Sequence, residues 1–386
     1  MAKLFNLFYQ RLPVQRVRVD EHLHLLNEEE IQHIRRSERF MMLAAAGLSM
    51  AGFLAYYLPI YKFPDLFPFV NLAIPFVDTT VKLPWAELVW CLLLTSIELT
   101  LLTLINIAGV HEIAVATGFV SAETKTGKEE TLLRIGLERK TVEVIKYGID
   151  PFQGLNKWML FLFNVVLRLK GWLGNQVIRY LARTMLGRYA VRTVLDFSGM
   201  PLYMAINAYS VHAVLRQARV IILGQTAIAL LLKRLPSGNL SETEKDLLYD
   251  TLQYIAISKR DFHQNHYVLT KDLLEFFNIS PRERHLLPDD YLDKLSRAPS
   301  AVLALCQVVI LLGFVLDGHL SGRERFRIHE LNRAEALEET ASDVKDYMRD
   351  FLTGAGIEKW VDTYLSRINE TSKAAAGESF HRDIRE

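Results

Sequence analysis

Charge disappears from the chain between Phe40 and Tyr61, where "FMMLAAAGLSMAGFLAYYLPIY" contains no Asp, Glu, Lys or Arg. As an α-helix, a stretch of this length crosses a hydrocarbon core of roughly 30 Å. A second such run, Leu88 to Val110, is interrupted only by Glu98. Together they predict a transmembrane hairpin, because helices of a soluble core rarely run so far without a polar stripe. A buried helical pair in a soluble protein is the alternative. The segments flanking the hairpin are basic, with Arg16, Arg18, Arg35, Arg36, Arg39, Lys125, Lys128, Arg139 and Lys140. The connection "KFPDLFPFVNLAIPFVDTTVKLPWAE" is aromatic, proline-rich and poor in Lys and Arg. The positive-inside bias therefore predicts two spans, both termini cytoplasmic and the short loop outside.

Glu98 falls near the middle of the second span. A carboxylate there costs roughly 2.5 kcal/mol or more to insert, which makes it a functional candidate by default. It could serve as a protonatable relay in a transport-related component. It could equally be packing glue, hydrogen-bonded to a hydroxyl such as Thr95 or Thr103, or to a neighbouring chain.

Beyond the hairpin, Leu132, Leu133, Ile135, Val142, Val144 and Ile145 recur at helical intervals until "GIDPFQG" breaks the pattern. From Lys157 to Leu195 the chain holds Lys157, Arg168, Lys170, Arg179, Arg183, Arg188 and Arg192 without one Asp or Glu. Arg179/Arg183 and Arg188/Arg192 are four apart, so each pair shares a helix face. With Trp158 and Trp172 alongside, this pattern predicts helices lying on an anionic lipid leaflet, those seven basic residues being the lipid contacts. Nucleic acid is not expected as the partner, since no recognition motif and no aromatic–basic interleaving is present. The next run, "SGMPLYMAINAYSVHAVLRQARVIILGQTAIALLLKRL", is apolar around Arg216 and Arg219. Charges at that position predict two buried or interfacial helices and no third crossing.

The segment "LLKRLPSGNLSETEKDLL" at 231–248 realigns with "LLGFVLDGHLSGRERFRI" at 311–328. Leu231/Leu311, Leu232/Leu312, Gly238/Gly318, Leu240/Leu320, Ser241/Ser321 and Glu244/Glu324 match. Each copy reads as an apolar helix, a glycine turn and a capping box. The repetition predicts a small helical domain with pseudo-twofold symmetry.

Here the chain resembles a known family. "VLDGHLSGRE", with "LSETEKDLLYDTL", is similar to the TerB-like domain of tellurite-resistance proteins over roughly residues 216–335. The resemblance implies an all-α module of two similar halves whose connecting turn carries Asp317, Gly318, Ser321 and Glu324. The first copy departs from it, with Ser237 in place of the acidic residue. It further implies a binding or scaffold module, not an enzyme, in membrane-associated stress or defence assemblies, with a divalent metal suspected at such acidic turns. "MPLYMAINAYSVHAVLRQAR", with Pro201, Asn207 and Ala218, faintly resembles the end of the bacterial EcsC protein family, and that likeness carries no catalytic residue.

Read from the residues alone, Ser321 and Glu324 start a helix. Asp317 and Glu324 could in addition hold a cation, weakly, because two carboxylates make an incomplete ligand set. His263 and His266, three apart beside Asp261, are a second candidate metal pair, with His319 and His329 as distant additions. No phosphate-binding glycine loop, HExxH helix or nucleophile elbow is present. No cofactor is therefore expected, beyond a possible divalent cation.

Composition agrees with a mixed molecule. Of 386 residues, 50% are hydrophobic, yet 23% are charged and the net charge is only +1, which excludes both a chain embedded throughout and a generally cationic one. Cys91 and Cys306 lie in apolar stretches and fit no disulfide or zinc pattern, as expected of reduced, cytosol-facing parts. The N-terminus lacks the apolar core and cleavage site of a secretory signal. The expected architecture is all-α: a cytosolic arm (1–39), a transmembrane hairpin (40–110), a basic membrane-proximal region (111–215), a TerB-like domain (216–350), and a C-terminal helix and tail (351–386). The expected role is a non-enzymatic scaffold on the cytoplasmic face of a bacterial inner membrane, with anionic lipid and other proteins, including further copies of itself, as partners.

Overall fold

The computed structural model describes residues 2–14, 26–73, 80–121, 124–136, 192–236, 240–260, 263–283, 285–355, 357–358 and 360–368. Among them the fold is helical apart from one short ribbon. Helix α1 (Ala2–Arg11) precedes the long α2 (Glu28–Lys62) and α3 (Trp85–Ala116). The start of α2 is written in its sequence: Asn27 Oδ1 accepts from the Glu30 amide at 2.8 Å, and Glu30 reaches back to the Asn27 amide at 2.9 Å. Pro59 sits in its last turns and the helix ends at Phe63. The α2–α3 connection, where the residue pattern predicts no element, contains the antiparallel strands β1 (Val70–Ala73) and β2 (Thr80–Leu83).

Burial along α3 runs opposite to that of a water-soluble helix. In its first two-thirds Leu92, Leu93 and Leu99 are exposed, whereas Glu87 and Glu98 are buried. Its most apolar 18-residue window is only 6% buried inside the protein. Water would not sustain leucine outside and glutamate inside, but lipid does. Among the described residues, three helices are long and apolar enough to cross a membrane.

The third corrects the sequence reading. Residues 199–234 do not form two separate helices; they belong to one unbroken α5 (Arg192–Arg234) of 43 residues, which carries Pro201 inside it. It follows α4 (Lys125–Gly136) in the described chain and packs on both α2 and α3. Its two halves lie in different surroundings. Val211, Val214, Leu215 and Ala218 join Ile34, Ala45, Ile107, Val110 and Ile113 in a first core, which α1 and α4 close from below with Phe5, Tyr9, Leu132 and Ile135. From Leu223 onward, Ala227, Ile228, Leu231 and Leu235 enter a second core. The apolar second half of α5 is thus protein interior, whereas Leu202, Ile206 and Tyr209 of its first half remain exposed beside the hairpin.

The second core is the helical domain. Helices α6 (Glu242–Lys259), α7 (Gln264–Phe276), α8 (Tyr291–Ser296), α10 (Gly322–Arg333) and α11 (Ala341–Thr353) surround α9 (Ser300–Val315), whose residues from Leu305 to Val315 are all buried. Both copies of the internal repeat end in the expected capping boxes, at Ser241/Glu244 before α6 and Ser321/Glu324 before α10. Residues 360–368 are helical as well, and Trp360, Val361, Tyr364, Leu365 and Ile368 fill the same core.

Candidate functional site

Two buried polar centres lie along α5. The first is built on Glu98. Its Oε2 accepts from the Tyr203 hydroxyl at 2.7 Å, and its Oε1 accepts from the Asn207 amide at 2.8 Å. Asn207 also donates to Ser49 Oγ at 2.6 Å, and Ser49 in turn donates to the Ala45 carbonyl at 2.9 Å. Tyr203 and Asn207 are one helical turn apart, so both reach the same carboxylate from one face of α5. The three long helices are therefore joined at a single point. The hydroxyl of Thr103, one of the partners expected for Glu98, instead donates to the Leu99 carbonyl of its own helix at 2.7 Å. Higher in the hairpin, Glu87 is held by the Tyr56 hydroxyl at 2.8 Å.

Below this centre, Leu215 packs over Gly109, where an added methyl would come within 2.5 Å of its Cδ2. One turn further on, Arg219 pairs with Glu38 at 3.4 Å. Glu38 stands just before the uncharged run that begins at Phe40. Arg219, inside an apolar helix by sequence, thus lies at the boundary between two environments.

The second centre surrounds Lys259, the last residue of α6, with only 2% of its side chain exposed. Its ammonium pairs with Asp317 at 2.7 Å and with Glu324, and donates to the carbonyls of Phe314 at 3.0 Å and His319 at 3.1 Å. Gly318 makes the enclosing turn possible: its φ of +67° is open to glycine, and its Cα faces Val220 and Leu352. Asp317 also accepts from the His319 amide at 3.1 Å. The four turn residues named from the sequence are thus brought together, but around a lysine. Among the described residues, no group of three or more His, Cys, Asp or Glu side chains is placed to hold a metal ion.

His263 and His266 come together as a helix cap. The His263 amide donates to His266 Nδ1 at 3.2 Å, which leaves Nε2 to donate to the Gly313 carbonyl at 2.7 Å. Next to them, Asn265 donates to the carbonyls of Val220 at 2.9 Å and Leu316 at 2.8 Å, tying α7 to α5 and α9. Burial lowers the pKa of His266 to about 4, from an ordinary 6.5. As pH falls below 6.5 the unfolded chain takes up this proton first, so folding loses up to about 1.4 kcal/mol per pH unit until the folded ring titrates. Thermal melts of the detergent-solubilised chain should therefore show a loss of about 2 kcal/mol between about pH 6.5 and pH 5, absent in His266→Gln.

A third cluster has no counterpart among the sequence expectations. His285 Nδ1 accepts from Arg282 at 3.0 Å, so Nε2 carries the proton it gives Asp250 at 2.7 Å. Arg282 also pairs with Asp246 and covers the Tyr249 ring. Of the expected lipid contacts, Lys157, Arg168, Lys170, Arg179, Arg183 and Arg188 lie outside the described residues. Arg192 opens α5. Sequence reasoning missed Lys259 and the pairing of Tyr203 and Asn207 with Glu98. The spacing of Tyr203 and Asn207 on one face of an apolar helix was the available signal for that pairing.

No protein-family model, curated protein or solved structure matches the chain.

Proposed function

We propose that this chain is a non-enzymatic scaffold of the bacterial inner membrane, which holds a TerB-like helical domain at the cytoplasmic face. The observation that carries the reading is the continuity of α5 from Tyr203 and Asn207, at the Glu98 centre, to the domain core that Leu231 enters and Leu235 extends. A single helix shared by both bodies fixes the domain's height and orientation relative to the bilayer. A flexible linker would fix neither.

In this reading α5 is a crossing helix beside α2 and α3, one more among the described residues than the charge pattern suggests. Glu98 stands level with Tyr203 and Asn207, and Gly109 with Leu215, so α5 runs parallel to α3. Its first residue, Arg192, then falls at the height of Trp85, at the loop end of the hairpin. Pro201 is tolerable in such a helix because neighbouring helices shield the backbone group it frees. Glu98, bound at both oxygens by α5, fits packing better than proton relay in transport. The resemblance to TerB-like modules supports an envelope-stress or defence setting with protein partners.

The test is affinity purification of the full chain from detergent extracts, with quantitative identification of what accompanies it. A stoichiometric partner, or a second copy, is expected. Recovery from the soluble fraction without detergent, or as a lone chain at every expression level, would sink the proposal.

A further inference from the structure

One charged surface takes no part in either buried centre. Arg260, directly after Lys259, caps α6 in the left-handed region with φ 51°. Its Nε has no hydrogen-bond partner, and no carboxylate among the described residues pairs with it or with Arg323. Lys259 pairs with Glu324, so the next residue, Arg260, lies by the first turn of α10, where Arg323 and Arg327 are one turn apart; burial and these two charges lower the Arg260 pKa. Arg327 is held in place by Glu330 at 2.6 Å and by the Tyr254 ring. Beside them Phe326 is 59% exposed, in a helix that buries Glu324, Ile328 and Leu331 on its other side. Arg260 and Arg323 are thus like charges on one surface without a paired carboxylate among the described residues, which costs stability unless something anionic covers them.

Their position says what that is. Helix α5 leaves the Arg219–Glu38 boundary and runs away from the hairpin, and α6 returns toward it. At the end of α6, Lys259 lies under the Asp317–Gly318 turn, and Gly318 faces Val220, the residue after Arg219. Arg260 and the first turn of α10 are therefore at the end of the domain nearest the apolar helices. We propose that Arg260, Arg323, Arg327 and Phe326 form a docking surface for the anionic lipid headgroups of the adjoining leaflet. This rests on the membrane reading above. Guanidinium forks match phosphodiester oxygens, and an exposed aromatic ring suits the headgroup zone. Unlike the expected contacts between Lys157 and Arg192, this surface belongs to the helical domain, and it gives α5 a second point of attachment at the bilayer. An acidic protein segment and a nucleic acid are the competing occupants.

The full chain is to be placed in nanodiscs of phosphatidylcholine alone and of phosphatidylcholine with phosphatidylglycerol, and hydrogen exchange followed over residues 322–328. With two unpaired basic residues near an anionic surface, exchange is expected to slow about thirtyfold with phosphatidylglycerol. Molar salt, or Arg260→Gln with Arg323→Gln, should abolish the difference while the melting temperature holds. Equal exchange in both discs overturns the proposal, as does protection that persists in the double variant. So does protection that appears only when acidic peptide or oligonucleotide is added. A chain that enters neither disc overturns the membrane reading itself, an outcome distinct from equal exchange in both.

Discussion

Replacing Lys259 by Met is expected to destabilise the helical domain by about 3–5 kcal/mol, more than the loss of any single helix cap in the chain. Methionine fills the same volume, so the loss isolates the charge. Asp317 and Glu324 would face each other inside the protein with no cation between them, and the carbonyls of Phe314 and His319 would lose a donor. The internal repeat supplies a control. Glu244 caps α6 at an exposed position, and Glu324 caps α10 with its side chain 1% exposed against Lys259. Glu244→Ala should cost about 1 kcal/mol, the ordinary worth of a cap. Glu324→Ala should cost several times more. Denaturant unfolding of the full chain in detergent, followed by helical circular dichroism, measures all three. If Lys259→Met costs no more than Glu244→Ala, another cation balances the carboxylates, and the divalent-metal reading of the turn returns.

The Lys259 cluster also shows why the turn at residues 317–324 is only half legible in the sequence. Ser321, Glu324 and Gly318 announce a helix start by their spacing alone, and α10 begins there. Spacing does not convey that Lys259, far back in the chain, reaches over the turn. A lysine at a helix C-terminus is usually a solvated complement to the helix dipole, and nothing local distinguishes a buried one. Helices α2 and α3 are legible because lipid imposes a length and an absence of charge. The continuity of α5 is hidden for a related reason. Periodicity reads Met200–Leu215 and Val220–Leu232 alike as apolar, though one half lies against the hairpin and the other fills a protein core. Arg216 and Arg219 then fall where the middle of a span would be, which argues for a break. The salt bridge of Arg219 with Glu38 makes them the border instead.

Removing the two donors of α5 from Glu98 should separate it from the hairpin. In Tyr203→Phe with Asn207→Leu, the carboxylate keeps its buried position and loses its hydrogen bonds to both residues. Leaving a buried acceptor unsatisfied costs roughly 1–3 kcal/mol in water-soluble proteins. Bonds between membrane helices average nearer 0.6 kcal/mol, so about 1–3 kcal/mol is expected for the pair. Ser49 stays satisfied through the Ala45 carbonyl, so the effect falls on Glu98. A cysteine pair replacing Met41 and Leu215, which meet at Gly109, reports the separation by oxidative cross-linking in a Cys91→Ser background. Cys306 does not interfere, because burial raises its thiol pKa to about 12 and leaves it unreactive. Cross-linking should fall several-fold in the double variant and recover when Glu98→Leu is added, since removing both sides of a buried polar contact is close to neutral. Recovery would identify Glu98 as the joint between α5 and the hairpin. If the triple variant cross-links well but the protein loses its cellular role, the carboxylate is needed for more than packing, and the relay reading displaces the scaffold.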